Sequence, residues 1–272
     1  MNRLRDVFQQ VQGGGRGPGL LPYITAGYPD VATTVAILRR LDPARCLCVE
    51  LGIPFSDPIA DGPVIQTSFA RTLAGGFKLD TLLAGLEQVR GALPVPLVAM
   101  LSYSIVFRRG PAELLQRARA AGIDGLIVPD LALEEADELA ALAHKYDCPL
   151  VLMVAPTTDR PRRERIAALS EPFIYYQSVA GVTGERDALP HDLAAQVRAL
   201  RASSGKPVCV GFGLAGPAQV AAVCREADGA IVGSALVRRI STAVEAGRGP
   251  DEIAAEVADH IAELTSQLLT QP

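Results

Sequence analysis

Cys46-Leu47-Cys48-Val49-Glu50-Leu51-Gly52 is an apolar run broken by one carboxylate. It is too short for an ordinary helix and does not alternate apolar with polar residues. It therefore reads as a strand covered on both faces, as in a parallel sheet packed under helices. Seven more short apolar runs follow the same rule: Leu20 to Thr25, Leu97 to Leu101, Gly125 to Val128, Leu150 to Ala155, Phe173 to Ser178, Pro207 to Gly211 and Gly229 to Val232. Longer amphipathic segments separate them, so the whole chain reads as repeated βα units.

The helices are marked by caps and by spacing. Asp30 is placed to cap a helix carrying Val31, Val35 and Leu38 on one face, and Asp80 to open another with Leu82, Leu86 and Val89, closed by Gly91. Pro111 and Pro217 sit where first-turn prolines belong. From Asp251 to Leu264, the residues Ile253, Val257, Ile261 and Leu264 form one stripe, which predicts a docked C-terminal helix. After the Gly-rich stretch Gly13 to Gly19 no linker or composition break divides the chain, so one domain spanning residues 1–272 is expected. Eight βα units over about 250 residues predict an α/β fold, a (β/α)8 TIM barrel with an extra N-terminal helix and a long excursion between the second and third strands. A doubly wound open sheet accounts for the same alternation, because counting strands does not prove closure.

Composition bounds the function. The 272 residues are 49% hydrophobic and 21% charged, with no run near the ~18 apolar residues of a membrane span, so neither disorder nor membrane insertion is expected. A net charge of -4 and the lack of a basic stripe interleaved with aromatics give no reason to bind nucleic acid. The segment from Met1 to Gly19 has no apolar core of a signal peptide, which predicts a cytoplasmic protein. The five cysteines, Cys46, Cys48, Cys148, Cys209 and Cys224, form no C-x-x-C pair and read as reduced, packed thiols. The three histidines have no metal-ligand spacing, and no metal site is expected.

In a barrel of this kind the chemistry lies at the carboxyl ends of the strands. Glu50 stands there, in a run whose interior would cost an unpartnered carboxylate several kcal/mol. Either it pairs with an Arg or Lys, or its pKa is raised as a general acid/base requires. The loop that follows, Ile53 to Pro63, brings Asp57 and Asp61, both also at common turn positions. Asp61 could return to the cavity of Glu50, though spacing alone does not establish it. Glycines cluster after the last three strands, at Gly181-Val182-Thr183-Gly184, Gly211-Phe212-Gly213 and Gly233-Ser234, the last opening a helix from Ala235. Glycine turns and a helix N-terminus together make an anion cradle. The loop from Val179 to Leu189 is long enough to serve as a lid. The residues thus point to acid/base chemistry on a small phosphorylated substrate.

Several motifs carry a family resemblance: Leu21-Pro22-Tyr23-Ile24-Thr25-Ala26-Gly27-Tyr28-Pro29, Val49-Glu50-Leu51-Gly52-Ile53-Pro54-Phe55-Ser56-Asp57-Pro58, Ala60-Asp61-Gly62-Pro63-Val64-Ile65-Gln66, Val128-Pro129-Asp130-Leu131 and the three glycine motifs. Together, from about residue 3 to 268, they resemble the tryptophan synthase α-subunit family. That resemblance implies retro-aldol cleavage of indole-3-glycerol phosphate to indole and glyceraldehyde 3-phosphate. It implies that Glu50 shuttles protons to indole C3 and from the glycerol hydroxyl, and that Asp61 stabilises charge developing at the indole N–H. Tyr175 and Thr183 are implied as substrate-binding residues, and Gly184, Gly213, Gly233 and Ser234 as the phosphate cradle. It implies no cofactor on this chain, pyridoxal phosphate being expected only on a β subunit that joins it in an αββα assembly. Two departures fall on Ser102-Tyr103-Ser104, where an aromatic-x-Asn pattern is usual, and on Ala132, where a proline is. They keep open a stand-alone lyase that releases free indole. A regulatory module without activity and another phosphosugar barrel, such as an isomerase, are the remaining alternatives, and intact Glu50 and Asp61 speak against both.

Overall fold

The computed structural model describes residues 2–58, 61–178, 191–211 and 213–268. Nine strands are found among them: β1 (Gly19–Thr25), β2 (Val49–Gly52), β3 (Leu97–Met100), β4 (Ile123–Ile127), β5 (Leu150–Val151), β6 (Met153–Val154), β7 (Ile174–Gln177), β8 (Val208–Gly211) and β9 (Gly229–Val232). The helices are α1 (Arg3–Gln12), α2 (Val31–Arg40), α3 (Pro63–Ala74), α4 (Leu79–Val89), α5 (Tyr103–Arg109), α6 (Pro111–Ala120), α7 (Ala136–Lys145), α8 (Arg160–Leu169), α9 (Leu193–Ser204), α10 (Pro217–Cys224), α11 (Ser234–Glu245) and α12 (Pro250–Leu264).

Every strand pairing is parallel, and the order is β5-β4-β3-β2-β1-β9-β8-β7-β6. The two ends of that row are consecutive in the chain, with Leu152 alone between them, so the sheet closes on itself. This decides for the barrel over an open sheet. It also explains the count. The fifth run, Leu150 to Ala155, changes partner midway: Val151 pairs with Ile127 of β4, whereas Met153 pairs with Tyr175 of β7. Between them the Leu152 N–H donates to Ser170 Oγ at 2.8 Å.

Local chemistry sets the element ends. Asp30 Oδ1 accepts from the Thr33 N–H at 2.7 Å, and Pro111 and Pro217 occupy the first turns of α6 and α10. The buried face of α2 is Thr33, Thr34, Ile37 and Leu38, with Val31 and Val35 only half covered. Asp80 does not cap α4. That helix begins at Leu79, and the carboxylate pairs instead with Arg109 and Arg117. Gly91 sits in a 3-10 turn that follows α4. In α12, Ile253, Val257, Ile261 and Leu264 are all buried, and the helix packs on α2.

The N-terminal helix has a definite task. Leu4, Phe8 and Val11 of α1 join Leu21, Cys48, Val98, Ile127, Val151, Phe173, Cys209 and Ile231 in one cluster, the barrel interior. Phe8 stacks on Phe173 with ring centroids 4.5 Å apart. Because α1 plugs the amino-terminal end, the barrel opens at its carboxyl ends, and each such buried side chain contributes about 1.5–3 kcal/mol. The plug is tied down by Asp124, 0% exposed. It accepts from Arg3 Nη2 at 2.7 Å, Arg119 Nη1 at 3.0 Å and the Leu97 N–H at 3.1 Å. Asp124→Asn removes the charge both guanidinium groups face. It should cost about 2 kcal/mol in urea unfolding, less than the ~3–5 kcal/mol of a fully buried broken pair because both arginines keep contact with water. An unchanged midpoint would show that the tie contributes nothing.

Candidate active site

Residues two apart on a strand share a face. Tyr23 follows Leu21, Glu50 follows Cys48, Met100 follows Val98 and Tyr175 follows Phe173, so all four side chains continue the interior cluster toward the open end. Tyr23 is directly in register with Glu50, and Tyr175 with Cys209. Two glycines make room for the phenols. A Cβ at Gly52 would lie 2.0 Å from Tyr23 Oη, and one at Gly211 would lie 2.6 Å from Tyr175 Oη. Neither position tolerates a side chain without moving a tyrosine.

Glu50 is 2% exposed, and its Oε2 has no hydrogen-bond partner. Among the described residues no arginine or lysine neutralises that atom, so of the two readings the sequence leaves open the geometry supports a raised pKa. Burial, and after it the charge of Asp61, push the Glu50 carboxyl up to about 8. At neutral pH it therefore holds a proton it can give away.

Asp61 arrives from the loop between β2 and α3. Gln66 Nε2 donates to the Asp61 carbonyl at 2.8 Å and to the Pro58 carbonyl at 3.3 Å, fastening the loop to the first turns of α3. The Asp61 side chain is half-buried, and burial raises it to about 6. It is thus still ionised at neutral pH. Its charge also bears on Tyr23 and Tyr175, which burial and these two carboxylates hold well above the usual phenol range. The two carboxyl groups are near enough for the charge of Asp61 to bear on Glu50, and at neutral pH they hold opposite protonation states. Asp57 is exposed and stands apart.

The anion end is built by the last two strands. Gly211 pairs with Ile231, so the chain leaves β8 and β9 side by side, with Gly213 and Gly233 following two residues later on each. Ser234, 6% exposed, is the first residue of α11, and Gly233 precedes it as the N-cap. A helix N-terminus leaves its first N–H groups without intrahelical partners and carries partial positive charge. A phosphate there would meet those donors and the Ser234 hydroxyl.

The family described as tryptophan synthase alpha chain matches residues 8–266. The chain belongs to the tryptophan synthase alpha chain family. The alpha chain of Rhodopirellula baltica is 44% identical over 265 residues, covering 95% of each chain. Among solved structures, the alpha chain of Legionella pneumophila subsp. pneumophila superposes with a TM-score of 0.86 at 32% identity, covering 100% of both chains. A tryptophan synthase complex from Pyrococcus furiosus matches with a TM-score of 0.82 at 34% identity, covering 92% of this chain and 99% of that one.

For a tryptophan synthase alpha chain the structure brings together Glu50, Asp61 and Tyr175 at the barrel mouth, with Gly213, Gly233 and Ser234 on the neighbouring strand ends. Thr183 and Gly184 lie outside the described residues, as does the loop from Val179 to Leu189. All five cysteines are free and buried, and burial pushes Cys46, Cys148 and Cys224 up to about 12, so none is an activated nucleophile. The departures from the family pattern sit on two loops that bind each other. Ser102 Oγ donates to Asp130 Oδ2 at 2.7 Å, and the Tyr103 N–H donates to Asp130 Oδ1 at 2.7 Å. Ala132 precedes a 3-10 turn, Leu133–Glu135, on the second of these loops. Sequence reasoning overlooked Tyr23 as a site residue. An aromatic in an apolar strand is ordinarily packing, and only the position of its hydroxyl distinguishes it.

Proposed function

We propose that one barrel domain, working through Glu50 and Asp61, carries out the alpha-chain half-reaction, the retro-aldol cleavage of indole-3-glycerol phosphate to indole and glyceraldehyde 3-phosphate. The supporting observation is the buried carboxyl of Glu50, its Oε2 unpartnered among the described residues and protonated at neutral pH near an ionised Asp61. Glu50 gives its proton to indole C3, and positive charge develops at the indole nitrogen. Asp61, placed against that N–H, stabilises the cation more than the neutral ring, which lowers the barrier. The Glu50 carboxylate then takes the proton of the adjacent glycerol hydroxyl. The carbon–carbon bond breaks, its electron pair returns to the indole ring, and the oxygen becomes the aldehyde carbonyl. Glu50 ends protonated, ready for the next turnover.

Gly213, Gly233 and Ser234, together with Gly184, hold the phosphate, while Tyr175 and Thr183 contact the substrate nearer the acid. Ser234→Leu should raise KM and weaken glycerol 3-phosphate binding by about 10- to 100-fold, the loss of one or two hydrogen bonds to a charged group. Titration calorimetry reads this, and unchanged affinity would refute the cradle. None of the steps calls on a cofactor of this chain. The partner is a tryptophan synthase β subunit in an αββα assembly, in keeping with the Pyrococcus furiosus complex. The site of action is the cytoplasm, and no helix among the described residues is long and apolar enough to cross a membrane. Steady-state turnover of indole-3-glycerol phosphate, alone and with β subunit, tests the whole proposal. Cleavage accelerated by the partner is expected, and a rate indifferent to it would favour the stand-alone lyase.

A further inference from the structure

Two buried side-chain oxygens in the barrel mouth, Glu50 Oε2 and Tyr23 Oη, have no hydrogen-bond partner among the described residues. They belong to neighbouring strands and to residues in direct register. Buried polar groups left unmatched are costly, and a folded protein keeps them chiefly where a ligand completes them. The phenol is 4% exposed and lies over the bare backbone of Gly52, the next inward-facing residue after Glu50 on β2. Thr25 Oγ1, two residues on along β1, is near enough to lower the phenol's pKa, but it makes no well-aligned hydrogen bond to Tyr23 Oη and is engaged with Ser68 Oγ at 2.7 Å.

On its other flank Tyr23 faces the anion end. A Cβ at Gly233 would touch Tyr23 Cβ at 3.4 Å, so the tyrosine stands between the acid on β2 and the helix that opens at Ser234. A substrate anchored there by its phosphate, with its indole ring at Glu50 and Asp61, must lay its glycerol segment across Tyr23. One group completes both orphaned oxygens at once: a hydroxyl accepts from the phenol and gives its own proton to the carboxylate.

Resting on the reaction proposed above, we infer that Tyr23 is a further catalytic residue. Its phenol donates a hydrogen bond to the glycerol oxygen next to the scissile bond, the oxygen that Glu50 deprotonates. As that proton leaves, negative charge builds on the oxygen before the carbonyl forms, and a fixed donor stabilises it without rearrangement. The phenol remains a neutral donor throughout, since burial and two carboxyl neighbours hold its own proton in place.

The test is Tyr23→Phe in the full chain, assayed with β subunit. Removal of one such donor should lower kcat by about 10²-fold. Inhibition by indole-3-propyl phosphate, which lacks the hydroxyl, should be unchanged. The melting temperature should stay the same or rise, because the change deletes an unmatched buried polar atom. A kcat within about twofold of wild type would overturn the assignment, as would a loss of activity matched by equal losses of analogue affinity and stability, the mark of a merely structural role. An active wild type inactivated by Glu50→Gln but indifferent to Tyr23→Phe refutes Tyr23 alone. A wild type inert on indole-3-glycerol phosphate refutes both.

Discussion

Glu50→Gln should lower kcat for indole-3-glycerol phosphate cleavage by at least about 10³-fold, within the range for loss of a general acid/base. Affinity for glycerol 3-phosphate should barely change. Glutamine keeps the size and the donor capacity of a protonated carboxyl but can neither release nor accept the proton that must reach indole C3. The same substitution should stabilise the fold in alkaline solution. Glu50 titrates at about 8 in the folded chain against 4.5 as a free side chain, so the folded state binds the extra proton between those values. Stability therefore declines as pH rises through that window, and the deficit is complete above about 8, on the order of several kcal/mol. Glutamine has no charge to desolvate and escapes the deficit. Urea titrations at pH 5 and pH 9 would separate the effects: the variant should gain on wild type only at the higher pH. Wild-type turnover in Glu50→Gln would defeat the assignment of the acid.

Asp61→Asn should be nearly as damaging, by about 10²- to 10³-fold in kcat, the scale of a fixed group facing charge that develops in the transition state. Substrate binding should suffer far less, because the ground-state indole N–H is neutral. The pH profile gives a sharper check. The mechanism needs Asp61 ionised and Glu50 protonated, so kcat/KM in the wild type should be bell-shaped with limbs near 6 and 8. Those limbs belong to the interacting pair. In Asp61→Asn the acid limb should vanish. The alkaline limb should also move to lower pH, since the Asp61 charge is the second cause of the high value at Glu50. A profile that kept both limbs would mean that another group is titrating.

Most of the scaffold was legible in the chain because burial on both faces of a strand leaves a pattern of its own: uninterrupted apolar residues with no alternation. The fifth stave shows the limit. Nothing in Leu150 to Ala155 marks the change of partner at Leu152, which exists only because β4 and β7 lie on opposite sides of it. Asp80 shows another. Its side chain would suit a cap, but Arg109 and Arg117 reach it from elsewhere in the fold. The site divides in the same way. Glu50 announced itself because a carboxylate in an apolar run is costly unless used. Asp57 and Asp61 looked alike by spacing, and the folded loop exposes one and half-buries the other.

The amino-acid sequence by itself determined the succession of βα units, an extra helix ahead of them and a carboxylate set at cost in an apolar strand, Glu50. These follow from local sequence pattern and the cost of a charge within it, quantities that do not depend on distant partners, whereas the packing of that helix into the barrel does. Closure of the ring, the opposed protonation states of Glu50 and Asp61, and the stranded hydroxyl of Tyr23 were decided by the tertiary structure alone. They arise from desolvation and electric fields among residues far apart in the chain, which exist only once the strands have been brought side by side.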